Sequence, residues 1–328
     1  MKRSVAVRVV TVALLVTLIP LIAISWGNDG HIAINRAAAA KLPADMPAFL
    51  KNAADRLAYL GPEPDRWREK SEPQLKYAQE PDHFMDMELV DWMGGKLPPD
   101  RYLFVRAVYE HREADPKNAT PEMYPEKIGF LPYATMEVYG RLKVAFREYR
   151  KAQKEGRSTA DAEANAIYYA GWLGHYVGDG SNPLHTTVQY NGWVGPNPNG
   201  YDTGKTIHWR MEGPFVGRNM AKLQFADLVT PAKKLDNPFD DFVAYLRTSQ
   251  KEVETVYQLD KKCGFDGEGT EESRDFIRHR LAAGAQMLAD MWYTAWVESA
   301  VEPEPYHGPS GQREPVRKCE PAVAAMTK

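Results

Sequence analysis

The stretch ADAEANAIYYAGWLGHYVGDGSNPLH, residues 160–185, carries the reading of this chain. Tyr168, Trp172, Leu173, Tyr176 and Val177 give it a bulky apolar character, and Ser158-Thr159 supply a start signal, which predicts a helix over Asp161 to Gly178. Gly180 to Pro183 should end that helix and turn the chain, bringing His185 back from the loop that follows. His175 and Asp179 stand four residues apart, so both side chains point from one helix face. A carboxylate among apolar neighbours needs a partner, either a hydrogen-bonded imidazole or a metal ion. The spacing alone fits both equally.

Working outward, the periodicity stays helical. Phe239, Phe242, Val243, Leu246, Val253 and Val256 share a face, as do Ile277, Leu281, Ala285, Leu288, Met291 and Ala295. Another helix is expected over Met136 to Tyr149, and one over Ile32 to Lys41 behind Asp29 as its starting residue. Stretches of alternating β pattern are scarce. The Gly/Pro-rich pieces Gly61 to Pro64, Gly94 to Pro99, Asp115 to Pro125 and Gly192 to Gly204 read as connectors. The expected fold is all-α, a single multi-helix domain over residues 26–300, followed by a Pro- and charge-rich, loosely ordered tail over 301–328.

Residues 1–25 read as a cleaved export signal. Lys2, Arg3 and Arg8 precede an apolar run, and Ala23-Ile24-Ser25 place small residues where signal peptidase requires them. An uncleaved anchor is the competing reading, since the run approaches the length of a span. Cleavage makes Trp26 the first residue, takes the net charge from −3 to −6, and predicts a secreted or periplasmic protein. Such a surface does not favour non-specific adhesion to nucleic acid or membrane, so an anionic substrate would have to be drawn by a local site. The two cysteines, Cys263 and Cys319, are too few for a thiolate zinc framework; in an oxidising compartment a disulfide between them is one reading and two unrelated thiols the other. Asn118-Ala119-Thr120 is a glycosylation acceptor in hosts that glycosylate.

Other chemistry-bearing residues are individually weak signals. His208 and Glu212 repeat the four-residue spacing, although on its own such a pair is usually an ordinary one on a solvated face. His31, Asp65 and His83 are isolated in the sequence. Imidazole with carboxylate oxygen is a donor set that suits Zn²⁺, and unfilled coordination positions distinguish catalytic from structural sites.

Taken in order, these pieces resemble the zinc-dependent phospholipase C and single-strand-specific nuclease superfamily. Its members begin their mature chain with Trp, share the spacing His-x3-Asp-x5-His, carry an HFxD-like segment and end with a His-x3-Asp/Glu pair. Here these are Trp26, His175/Asp179/His185, His83-Phe84-Met85-Asp86 and His208/Glu212, and Arg280 to Trp296 is similar to the closing helix. The resemblance implies three zinc ions. Asp65, His83, His175 and Asp179 would hold one. Asp179 would bridge to a second, completed by His31 and by the amine and carbonyl oxygen of Trp26. His185, His208 and Glu212 would hold the third. The cluster would keep a positive remainder and activate a water for in-line attack on phosphorus.

The same resemblance implies a hydrolase of phosphate esters with no stable protein partner. Two substrate classes are open: single-stranded DNA, RNA and 3′-nucleotides, or phosphatidylcholine-type lipids. The short interval Trp26-Gly27-x-x-Gly30-His31 looks like the nuclease branch, as does Arg68, a guanidinium suited to clamping phosphate. These two features favour the nuclease. Phe84 could stack a base and Asp86 could read its edge, but the HFxD segment occurs in both branches and Phe84 is equally a core residue. Glu212, in contrast, matches the lipid-cleaving branch, and the loop from Tyr190 to Tyr201 departs from both. Asp65 is a further candidate for proton transfer. A zinc-binding module without turnover is the alternative of a different kind, which metal-dependent hydrolysis would exclude.

Overall fold

The computed structural model of the protein describes residues 26–302. The expected export signal over residues 1–25, most of the expected tail and Cys319 lie outside the described residues. Cys263 is exposed.

Among the described residues the chain is helical, with two isolated β-bridges, Met85 to Gly129 and Tyr190 to Gly192, and no strand. The longer helices are α1 (Gly27–Ala39), α2 (Ala54–Leu60), α3 (Arg101–Ala114), α4 (Leu131–Lys154), α5 (Ala160–Ser181), α6 (Pro238–Gln250), α7 (Val253–Lys261) and α8 (Glu271–Glu298). None is long and apolar enough to cross a membrane.

The apolar periodicities find their places. Ile277, Leu281, Ala285, Leu288, Met291 and Ala295 form the fully buried face of α8. The face running from Phe239 to Val256 is divided between α6 and α7, because the chain turns at Lys251-Glu252. α5 outruns its expected span by a residue at the start and three at the end, and α4 extends well beyond Met136 to Tyr149 at both ends. The start signals act differently from expectation. At the head of α5 the Thr159 hydroxyl bonds Glu163 (2.7 Å), and Ser158 Oγ accepts the Ala160 N–H (3.4 Å). α1 begins at Gly27, two residues before Asp29, which sits in the first turn where the helix dipole favours a carboxylate.

α5 is the axle of the fold: α4, α8, α2, α1 and α6 all pack on it. Two of its glycines explain how closely α1 approaches. A Cβ on Gly174 would fall 1.9 Å from Asn35 Oδ1, and one on Gly178 would fall 2.8 Å from the Nδ1 of His31. Asn35, buried on α1, donates to the carbonyls of Leu57 (2.7 Å) and Gly171 (3.0 Å), tying α1 to both α2 and α5. Gly174→Ala must displace Asn35, so it should destabilise the protein by about 1–3 kcal/mol, the ordinary cost of overpacking, in a chemical-denaturation measurement. An unchanged midpoint would mean that this contact does not set the helix spacing.

Candidate metal centre

Three groups of donors converge at the end of α5: His31 with His175 and Asp179, Asp65 with His83 and His175, and His185 with His208 and Glu212. All eight side chains are almost wholly removed from solvent. The separations run from second-row contact upward. His175 Nε2 is 3.0 Å from His83 Nδ1, 3.4 Å from Asp179 Oδ2 and 3.9 Å from Asp65 Oδ1. His31 Nε2 lies 3.5 Å from Asp179 Oδ1, and the His31 and His175 rings stack at 4.1 Å. In the third group His208 Nε2 is 3.1 Å from His185 Nε2 and 2.8 Å from Glu212 Oε2, and His185 Nε2 is 3.1 Å from Glu212 Oε1.

Each donor arrives by a local device. α5 carries His175 and Asp179 on one face. The 3₁₀ turn Pro183–His185 aims His185 back, and its carbonyl accepts the Met85 N–H (2.9 Å), while Met87 N–H reaches the Thr186 carbonyl (3.1 Å). These bonds lock the segment bearing His83 to the segment bearing His185. His208 lies in a short α-turn, Ile207–Arg210, that widens into a π-turn over Met211–Phe215. Pro214 inside it has no N–H to give, so the regular ladder cannot continue, and the wider turn still leaves Glu212 facing His208. Asp65 sits in the short helix Glu63–Arg66.

The hydrogen bonds on the far side of two rings settle which nitrogen is bare. His175 Nδ1 is 2.9 Å from the Gly61 carbonyl, and His185 Nδ1 is 2.5 Å from the His83 carbonyl. A carbonyl only accepts, so each Nδ1 carries the hydrogen and each Nε2 of the neutral ring presents a lone pair. Those lone pairs point at other imidazole nitrogens and carboxylate oxygens. Such a convergence of acceptors, largely out of reach of water, needs cations or protons held between the donors. Asp65 Oδ2 and His83 Nε2 are buried without any hydrogen-bond partner, as a site built for an ion would leave its donors. Nitrogen and oxygen donors in this mixture suit zinc.

The electrostatics agree. Burial holds the His175 imidazole well below its usual range, with His31 and His83 adding to the effect against Asp179. Burial pushes the Asp65 carboxyl up, against the pull of His83, His31 and Arg68. For Asp179 burial is outweighed by His175, His185, His31 and His83, which carry it well below the carboxylate range, and Glu212 is lowered likewise by His208 and His185. Burial opposes charging of His185, but Asp179, Glu212 and the His83 carbonyl together raise it to about 9.

The structure thus brings together Asp65, His31, His83, His175, Asp179, His185, His208 and Glu212, all eight expected side-chain donors. Trp26 enters differently: its indole is fully buried and donates to the Gly178 carbonyl (2.8 Å) and Ser181 Oγ (2.9 Å), which seats its backbone at the head of the helix bearing His31. Arg68 is beside the centre, but Nη1 is 3.2 Å from Asp65 Oδ1 and Nη2 is 3.8 Å from Glu80. Phe84 is half-buried. Asp86 is buried, and burial pushes its carboxyl well above the usual range, with Glu88 and Glu122 adding to that. Sequence reasoning missed Gly61, whose contribution is a main-chain oxygen that no residue type announces. It also missed Asn182, although an Asn before Pro at a helix end was a visible signal.

No protein-family model matches the chain, and no curated protein matches it. Among solved structures it is similar to the alpha toxin of Clostridium absonum (TM-score 0.37, 11% identity), covering 84% of this chain and 65% of that one. It is also similar to the alpha-toxin of Clostridium perfringens from an avian strain (TM-score 0.35, 13% identity), covering 84% and 64% respectively. The chain spans just under two thirds of the length of each toxin.

His185 gives a pH test of the metal-free protein. Its folded value of about 9 lies above the unfolded 6.5, so the stability it contributes is fully present below pH 6.5 and lost as pH rises through about 9. Chelator-treated protein should therefore lose denaturation free energy between those values, and His185→Gln should flatten that loss. Equal slopes for the two proteins would contradict a protonated His185.

Proposed function

We propose that the protein is a zinc-dependent phosphodiesterase. The observation that carries this reading is the convergence of bare imidazole nitrogens and carboxylates in three adjoining groups, with too few side-chain donors to saturate the ions they would hold. Bound zinc supplies Lewis acidity, a lowered pKa for water and compensation of the charge developing on phosphorus. Asp65, His83, His175 and Asp179 would hold one ion, His31 and the Trp26 backbone with Asp179 a second, and His185, His208 and Glu212 the third.

The chain's own groups define what remains. Asp65, with a raised carboxyl and an unpartnered Oδ2, is suited to holding a proton beside the reacting phosphate when it is not itself spent on a metal. Arg68 is in place to bind a phosphoryl oxygen once a substrate competes with Asp65 and Glu80 for its guanidinium. Removal of the export signal would free the Trp26 amine, coupling activation to secretion.

Between the two substrate classes we favour the phosphatidylcholine-type lipid as the first to test. Glu212 matches that branch, and the base-reading role open to Asp86 is opposed by a buried position that disfavours its ionised form. The short interval from Trp26 to His31 supports single-stranded nucleic acid or 3′-nucleotides as the second reading.

Zinc-loaded, signal-processed protein should release phosphocholine from phosphatidylcholine, and a chelator or His175→Ala should lower the rate at least 100-fold. Arg68→Ala should cost roughly 10- to 100-fold in kcat/KM, the effect of one charged contact to phosphate. Release of nucleotides from denatured DNA without lipid cleavage would select the second reading. A zinc-loaded protein inert on both, and on simple phosphodiesters, would leave a metal-binding module and end the enzymatic reading.

A further inference from the structure

Asn182 closes α5 and is completely buried. Its bonds reach three of the residues that form the metal centre. Its main-chain N–H donates to the Asp179 carbonyl (2.9 Å), and its carbonyl accepts the His185 N–H (3.1 Å). Its side chain divides the work between its two ends. Oδ1 accepts the Leu184 N–H (3.0 Å), which holds the turn that delivers His185. Nδ2 donates to Glu212 Oε1, across 30 residues of sequence.

That last bond has no structural necessity for the helix end. A helix terminus needs its orphan groups satisfied, and Oδ1 already serves the turn. The amide N–H instead meets a carboxylate oxygen that faces His185 Nε2 at 3.1 Å. With a metal ion on His185 Nε2, the ring's remaining hydrogen goes to the His83 carbonyl and none is left for Glu212. The Asn182 amide is thus a neutral donor that can hold Glu212 Oε1 without a proton being taken from the cluster. It fixes the rotation of the carboxylate while Oε2 stays 2.8 Å from His208 Nε2. An Asp in its place would set a second negative charge against Glu212, and Asn182 and Glu212 are both fully buried, so water does not replace the amide there.

We propose that Asn182 is the positioning residue of the third metal site: it sets zinc occupancy at His185, His208 and Glu212 without being a ligand. This rests on the metal reading above and adds to it the residue that orients the site. By joining the turn after Asp179 to Glu212, Asn182 also makes the third site part of the same rigid unit as the first two.

The test is zinc content per chain and competition against a chromophoric chelator, on wild-type protein, Asn182→Ser and Asn182→Ala. Serine is the informative substitution, since its hydroxyl can still accept from Leu184 N–H but is too short to reach Glu212. Both variants should keep two zinc ions and bind the third 10- to 100-fold more weakly, the usual effect of losing an outer-shell partner. Asn182→Ser with three zinc ions bound within twofold of wild type would reduce Asn182 to a helix-end cap and overturn the proposal. A wild-type protein that takes up no zinc would instead sink the metal reading itself. Should the variants fail to fold, wild-type protein labelled with nitrogen-15 decides the matter. The Asn182 side-chain amide resonances should move with the last equivalent of zinc and resist solvent exchange, and resonances that ignore the metal would also overturn the proposal.

Discussion

The bond from His175 Nδ1 to the Gly61 carbonyl is the constraint on which the rest of the centre depends. A neutral imidazole has one hydrogen and one lone pair, and a main-chain oxygen that takes the hydrogen dictates where the lone pair goes. Here it goes inward, to His83 and two carboxylates. His185 repeats the arrangement with the His83 carbonyl. Two main-chain oxygens, each delivered by a turn with other reasons to be where it is, fix the orientation of two histidines and aim their Nε2 atoms inward. The second of these oxygens belongs to a donor residue, so the orientation of the third group is inherited from the first.

Such inheritance demands a rigid frame, and the helix packing supplies one. α1 lies against α5 as closely as it does because Gly174 and Gly178 present no side chain to it, α2 because Gly171 presents none to Leu60, and Asn35 fills the closeness with two bonds to main-chain carbonyls. The indole of Trp26 is pinned to the last turn of α5 through Gly178 and Ser181, while Arg280 on α8 reaches the Ser181 carbonyl (2.9 Å) and Ser249 Oγ on α6 (2.9 Å) from the other side. The end of α5 is therefore gripped by α1, α6 and α8 together. A sub-ångström shift in any of them would be felt at His175 and Asp179, which share that end.

This explains what the sequence could and could not reveal. Helices were legible because apolar period is a property of residues near each other in the chain, as Ile277 to Ala295 demonstrate. The pairs His175/Asp179 and His208/Glu212 were legible for the same reason, although the second acts across a π-turn that Pro214 causes and that a simple helical reading replaces with a regular turn. His31, Asp65 and His83 had no local signature. Only the ordered resemblance gathered them, because their nearness is a product of α5 packing on its neighbours. The outer partners were the least visible. The Gly61 oxygen is anonymous in sequence, and Asn182 reads as a helix end until its amide is seen at Glu212. The environment of Arg68 was likewise invisible, since Asp65 lies three residues away but Glu80 is brought in by folding.

The same geometry bears on whether the centre is structural or catalytic. A structural zinc site closes its coordination with protein donors and gains folding energy from them. Here donors are shared: His175 stands in two of the groups and Asp179 lies 3.9 Å from a nitrogen of the third. Sharing would lower the number of protein atoms available to each ion and bring bound ions near one another, which is wasteful for a staple and useful for an anionic substrate that must be held by several charges at once. In a protein of net negative charge, metal ions held at one point would make that point a local attractor for phosphate. The frame built around α5 has the rigidity for that task, and the exposed ring of Tyr190, 6.1 Å from His208, marks where the centre meets solvent.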